Sequence, residues 1–417
     1  MVLSYKKVVV LLVVPFVLNG ATLKEIMNLT LKRSETIKSL NYDIKSKEQA
    51  LKSVSNIYNP TLSAGATHTI VNLDRPVNVV GATTTGFLKL DATLYDGGKN
   101  LAQKRAKESE LRSANFSKDN SIRGILLQEI SLFYQIKSIK QSIVAYKEKS
   151  KSLYAEYKRE KEKYDTKMVT KDEVLKLKSE YESNRYIIDE LKQQKESLLE
   201  SLSLLCGQMI SSVDDSKIKE LKSIAYKPSS AIKALQESIK VADENIKLAK
   251  ALKKPKVKVE DTLSAYGYSD YNAMVLKDLP DMQNRVTLSF NITLFDTSTS
   301  AKKESALLAK MAKKEQLNYA VKKEKTNFKI AYQKLLTQKR KIVSAKSALE
   351  TAKSTYDIIK TKFQNGIVDN ITYLDALSKM TLYSAQYHQA LNEYEIAKAN
   401  LYFSSGLEYK KILELIF

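Results

Sequence analysis

Side chains able to carry covalent or metal chemistry are scarce in this sequence. It holds one cysteine, Cys206, two histidines, His68 and His388, and no tryptophan. A nucleophilic thiol needs a base beside it, and a zinc site needs a set of clustered ligands. One thiol and two widely separated histidines supply neither, and a single cysteine closes no internal disulfide. No Gly-rich phosphate loop and no nucleophile elbow is present. The residues argue against an enzyme and give no reason to expect a cofactor or a metal.

Charge is what the chain has in excess. Lys and Arg number 69 against 47 Asp and Glu in 417 residues, a net charge of +22. A surplus of that sign can attract nucleic acid, an acidic membrane surface or an acidic partner. Here the lysines are spread along KxxE-type helix faces with no compact arginine patch. A solvated helical surface accounts for them, and no nucleic-acid partner is expected.

The elements that position these groups begin after residue 20. Residues 1–20, "MVLSYKKVVVLLVVPFVLNG", join a positive start at Lys6 and Lys7 to an apolar run from Val8 to Leu18 and a small-residue exit. That is the pattern of a signal peptide, with cleavage near Gly20. The run is shorter than the roughly 20 residues a helix needs to span a bilayer. No later stretch reaches that length either, so an exported chain of this kind is soluble outside the cytoplasm or crosses a membrane by strands.

The remainder reads as a tandem repeat. Pro60 and Pro255 each separate a helical run from a strand. "TLYD" ending at Asp96 is matched by "TLFD" ending at Asp296. "YDTKMVTKDEVL" from Tyr164 is matched by "FQNGIVDNITYL" from Phe363, and Gly207 by Gly406. The four spacings are 195, 200, 199 and 199 residues, in order, which indicates a duplicated unit. The predicted arrangement is a first repeat over 21–215 with strands at about 61–71 and 86–95, a linker at 216–227, and a second repeat over 228–417 with strands at about 256–268 and 285–295. The opening helix is expected over Thr22 to Tyr58, and its counterpart from Pro228 to Leu252. Pro76, Gly81 and Pro280 fall in the loops between strands, where turns need fixed or positive φ.

Long helical regions dominate each repeat. Ile125, Glu129, Leu132, Ile136, Ile139, Ile143, Tyr146, Ser150, Leu153, Tyr157, Glu160 and Tyr164 alternate spacings of four and three without a slip. A sustained 3.5-residue period means coiled-coil packing, and its polar members mean a seam that is not purely apolar. An unbroken helix from Gly98 to Asp165 would be about 100 Å long at 1.5 Å per residue.

The strands alternate. In "RVTLSFNITLFD", Val286, Leu288, Phe290, Ile292 and Leu294 share one side, and Leu88, Leu90 and Leu94 do so in "GFLKLDATLYDGG". The opposite side carries Thr, Ser, Asn, Lys89 and Asp91. Lipid outside and water inside would suit this pattern, and so would a small soluble sheet over helices. Four strands cannot close a barrel, and open edges are prohibitive in lipid. Either the sheet lies outside lipid or several copies share a barrel, three copies giving 12 strands.

Signal segment, tandem helix–strand–strand–long helix repeats and the turn "FQNGIVDNITYLDALSKMTLYSAQ", with Phe363, Gly366, Leu374 and Ala376, resemble the outer membrane factor (TolC-like) family. The weaker copy at Tyr164 has Lys167 in the glycine's place, and "LSLLCG" and "LYFSSG" look like that family's repeat closures. The resemblance covers essentially the whole mature chain. It implies a mainly α fold with a small β part: a homotrimer with a 12-stranded β-barrel in the outer membrane lipid and a long α-helical coiled-coil tunnel in the periplasm. It implies a passive exit duct for drugs or secreted proteins, working with a periplasmic adaptor and an inner-membrane transporter driven by protons or ATP. The turns at 164–175 and 363–375 would form the closed periplasmic end. Two carboxylates often ring that aperture; their positions correspond to Thr372 and Asp375, of which only the second is acidic. The basic residue expected two positions after the glycine is Val368. Asp172 and Glu173 stand where a locking carboxylate is expected, and equally where a helix start favours negative charge. The competing expectation is an exported coiled-coil spacer of the periplasm or cell surface, which explains the heptads but not the four strands.

Overall fold

The computed structural model describes residues 20–56, 58, 60–71, 76–221 and 223–417. The expected signal segment lies outside them, Gly20 excepted. The elements are α1 (Leu23–Arg33), α2 (Glu35–Ser53), β1 (Thr61–Ile70), β2 (Ala82–Tyr95), α3 (Lys99–Asp165), α4 (Lys171–Cys206), α5 (Ser230–Ala251), β3 (Lys256–Ser269), β4 (Met282–Asn291), α6 (Thr297–Gln364), α7 (Asn370–Ser404) and α8 (Tyr409–Glu414). The order helix, strand, strand, two long helices occurs twice. The chain forms two compact units, and neither is a repeat: one takes residues up to 41, 118–231 and 321–417, the other 42–117 and 232–320.

The first unit is helical. Its core joins Leu23, Ile26 and Met27 of α1, Leu126, Ile130, Phe133 and Tyr134 of α3, Leu199 and Leu202 of α4, and Leu401 and Tyr402 of α7. The helix expected over 22–58 is two helices. Thr22 and Glu25 form a reciprocal capping box at the start of α1, and Ser34, with φ −53° and ψ 125°, breaks the run before α2. α2 then ends at Ser53. The 3.5-residue seam of α3 is buried or half-buried from Ile125 to Glu160, while Tyr164 is exposed. Its acidic members are inside and partnered. The Glu129 carboxyl meets the Thr30 hydroxyl, and Glu160 lies 2.8 Å from Lys163 Nζ and 3.4 Å from Arg159. No helix among the described residues is long and apolar enough to cross a membrane.

The second unit holds one antiparallel sheet of order β1-β2-β3-β4, so the strand pairs of the two repeats join at β2 and β3. β4 starts three residues and ends four residues earlier than the sequence reading placed it. Its last pair is Asn291 with Lys256, and β3 has no further residue to offer because Pro255 precedes it without an N–H. Ile292 and Leu294, expected on a lipid-facing strand, therefore fall beyond the strand end. β2 starts earlier than expected, at Ala82, because Ala82 pairs with Ile70 on one side and Ser269 on the other.

Candidate functional site

Two places gather the residues singled out in the sequence. The first is the pair of helix–helix turns, α3 to α4 and α6 to α7. Both turns close the same way. Lys167 N–H donates to Tyr164 O and Met168 N–H to Lys163 O, both at 2.8 Å; Gly366 N–H donates to Phe363 O at 3.1 Å and Ile367 N–H to Lys362 O at 2.9 Å. This paired pattern requires a left-handed residue after the helix. Gly366 supplies it at φ 72°, and Lys167 adopts it at φ 60° against the Cβ penalty. Sequence divergence at the glycine thus leaves the turn geometry intact.

A small aromatic core sits behind the turns. Leu153, Leu177, Tyr356, Phe363, Tyr373, Ala376 and Leu377 are buried together, with Val368 and Leu374 packed against them. Phe363 and Tyr373 stack at 4.6 Å between centroids and 13° between planes. The Arg159 guanidinium lies 5.1 Å from the Phe363 centroid and pairs with Glu156 at 2.8 Å. Burial pushes the Tyr373 phenol well above its ordinary pKa. Val368, where a basic residue was sought, is a hydrophobic member of this core. The α7 start ties the two turns together, because buried Asn370 donates its side-chain N–H to Glu173 O at 3.1 Å.

The carboxylates are distributed unequally. Asp172 is exposed in the first turn of α4 and 3.3 Å from Lys176, and hydrogen bonds from Thr170 and Lys176 hold its pKa below the usual value. Glu173 contributes its backbone carbonyl. Thr372 gives its N–H and its hydroxyl to Asp369 Oδ1, at 2.9 and 2.5 Å, so it serves as part of the α7 cap. Asp375 is exposed and pairs with Lys379 at 2.8 Å, one turn along. Thr372, Asp375 and Lys379 line one wall of an open groove of about 810 Å³ whose other wall is Ser344, Ser347 and Thr351 of α6. Nearby, buried Lys149 of α3 donates to Ser378 Oγ of α7 at 3.0 Å and lies 3.8 Å from Glu180 of α4. Burial lowers the Lys149 pKa.

Sequence reasoning missed Tyr373, Arg159, Asn370, Lys149 and Lys379. Tyr373, Asn370 and Lys379 carried a usable signal, since all three lie within the turn segment already quoted. Arg159 and Lys149 carried none, because they resemble every other basic residue on a Lys-rich helix.

The second place is the sheet. Residues paired across an antiparallel ladder project to the same face. The register puts Leu62 with Leu90, Leu88 with Leu263, Val259 with Leu288 and Val257 with Phe290. All share one face with Val286 and Ile70, and Asp261 is its one acidic member. The other face carries Thr67, Thr85, Lys89, Asp91, Glu260, Thr262, Arg285 and Thr287. There Lys89 bridges Glu260 at 2.7 Å and Asp91 at 3.7 Å. Exposure is inverted relative to a soluble sheet. Val286, Leu288 and Phe290 are 66, 68 and 66 % exposed, and Leu88, Leu90 and Leu94 are exposed too. Lys89, Asp91, Glu260 and Thr262 on the polar face of the central strands are half-buried and Ser264 is buried, while Thr67, Arg285 and Thr287 on the edge strands are exposed.

Comparison with known proteins agrees with this geometry. Residues 222–407, most of the second repeat, match the family described as outer membrane efflux protein. No curated protein matches the chain in sequence. Among solved structures, the fold is similar to that of a membrane protein from Pseudomonas aeruginosa (TM-score 0.81, 14% identity, covering 92% of this chain and 90% of that one). It is similar to the outer membrane protein VceC of Vibrio cholerae (0.80, 15% identity, 93% and 96%) and to the CmeC outer membrane channel of Campylobacter jejuni (0.80, 16% identity, 94% and 88%). The fold resemblance read from the repeats and turns is borne out over nearly the whole chain.

Proposed function

We propose that this chain, whose second repeat matches the outer membrane efflux protein family, is one protomer of a homotrimeric exit duct in the outer membrane. The observation that carries this reading is the inverted sheet. An apolar face left exposed on all four strands is unfavourable in water, and burying it in lipid removes that cost. Lipid in turn offers nothing to the free edges of β1 and β4, which are unpaired among the described residues. Three copies joined edge to edge give 12 strands, enough to close a barrel with the Lys89–Glu260 face turned to water.

In this reading the helices extend into the periplasm, and the α3–α4 and α6–α7 turns form the end that faces an adaptor and an inner-membrane transporter. Cargo, whether drug or secreted protein, passes along the lumen with no chemical step. Opening separates the α3–α4 pair from the α6–α7 pair, so the Arg159–Phe363 contact, the Asn370–Glu173 link and the Lys149–Ser378 hydrogen bond, which run between them, are what hold the end shut. The protein then acts as a gated conduit whose energy source lies in its partners.

A pair of nitroxide labels tests the orientation in a Cys206→Ser background. A label at Phe290 is expected to be reached by oxygen dissolved in lipid, and one at Thr287 by a water-soluble nickel chelate. Water access at Phe290 with lipid access at Thr287 would invert the barrel and overturn the reading.

A further inference from the structure

The polar face of the sheet carries something that water alone does not require. Tyr266 and Tyr268 of β3 pair with Thr85 and Thr83 of β2, so they lie on the same face as Lys89 and Glu260. Their rings stack at 5.9 Å and 12°, and Tyr271, just past the strand, meets Tyr268 edge-on at 6.4 Å. The aromatic girdles of membrane barrels point to lipid at the interfaces, so rings on the opposite face need another account. They are also held in place. Tyr266 Oη donates to Gln283 Oε1 at 3.2 Å, and Tyr268 Oη to Pro280 O at 2.9 Å. Phe87 joins the same face and lies over Gly65, where a Cβ would come within 2.5 Å of its ring.

Position narrows the ligand. The helices attach at the Lys256 and Asn291 ends of β3 and β4, so Tyr266 to Tyr271 lie at the opposite end, by the connecting loops. Further in, the same face bears Lys89, Lys256, Lys258 and Arg285 against Asp91 and Glu260. Beside the rings stand Asp270, directly before Tyr271, and Asp281, whose carbonyl accepts from Tyr266 N–H at 2.8 Å, so neither sign of charge prevails along the path and the fixed π-faces are what select. Fixed rings bind planar rings well because little freedom is lost on contact. Sugar rings also stack on tyrosine, but the polar groups nearest these rings, Gln283 Oε1 and Pro280 O, are already engaged by the tyrosine hydroxyls.

We infer that Tyr266, Tyr268 and Tyr271 form an aromatic collar at the outer mouth of the duct that takes planar aromatic solutes. This inference rests on the duct reading, with the polar face as lumen. The test uses the full chain in planar bilayers, with probes added on the side of the strand-tip loops. 1-Naphthalenesulfonate and naphthylmethylammonium are each expected to block current more strongly than hexanesulfonate or maltotriose. Tyr266→Ala and Tyr268→Ala are each expected to weaken that block by about fivefold, the order of one lost ring contact, while Tyr268→Phe, which keeps the ring and loses only the bond to Pro280 O, weakens it less. Equal block by either control solute, or unchanged block in both alanine variants, overturns the collar and leaves the duct standing. A bilayer in which wild type forms no pore overturns the duct reading and the collar with it.

Discussion

Asp375 was expected to set the field of the aperture, and its neighbour qualifies that role. Lys379 lies 2.8 Å away, so the two charges largely cancel at a distance. In the duct reading, Lys379→Ala should raise cation preference in bilayer reversal potentials by about as much as Asp375→Ala lowers it. Equal selectivity in both variants would remove this pair from the aperture. Glu129 is a different case. It is fully buried on the α3 seam and touches Thr30, whose hydroxyl also lies 3.1 Å from the Ile26 carbonyl. Loss of water pushes the Glu129 carboxyl up to about 8. Its folded pKa is thus above the unfolded value near 4.5, and the protonated form fits the core. The stability it lends is full below about 4.5 and is lost as pH rises toward 8. Thermal unfolding at pH 5 and pH 9 should therefore differ less in Glu129→Gln than in wild type. An unchanged difference would show that Glu129 is ionised in the folded chain.

At the scale of elements, the two turns show one geometry reached from different residues. Gly366 adopts its left-handed φ without strain, and a Cβ there would meet nothing within 4 Å. Lys167 adopts nearly the same φ with a side chain. Lys167→Gly should stabilise the helical unit by about 0.5 to 1 kcal/mol, the left-handed cost of roughly 1 to 2 kcal/mol being partly offset by a freer unfolded chain. A shifted urea midpoint of the helical signal checks this, and a lower midpoint would mean that the lysine side chain contributes contacts of its own. The strand ends teach a related lesson. "TLFD" alternates as well as "TLSF", yet only the latter is in β4, because pairing stops where β3 stops. At Asp296 the break is reinforced by hydrogen bonds from Thr299 and Ser298 that hold its carboxyl down to about 2 and start α6.

For the whole molecule, the strand count decides more than any residue does. Four strands with two free edges and an exposed apolar face make a sheet that one copy cannot complete. The duct reading expects the detergent-solubilised protein to have three times the chain mass by light scattering. A monodisperse monomer or dimer would not close the barrel and would favour the spacer that the heptads alone allow. The connection of units is equally informative: each compact unit draws from both repeats, so duplication of the sequence did not produce two folding cores side by side.

The strands, the long helices and the turns were legible in the sequence because each depends on local spacing: period 2, period 3.5, and glycine or proline at turns. The same locality explains the misses. The break at Ser34 and the early end of β4 depend on partners elsewhere in the chain. Local spacing assigned Ile292 and Leu294 to a strand that pairing does not extend to them. Tertiary structure alone turned Val368 into a core residue, gave Asp375 its counter-charge and buried Glu129 against Thr30. It also placed Tyr266 and Tyr268 on the polar face, because a face is defined only when strands are paired in register. Alternation along one strand says that two sides differ; the neighbouring strands decide what each side meets.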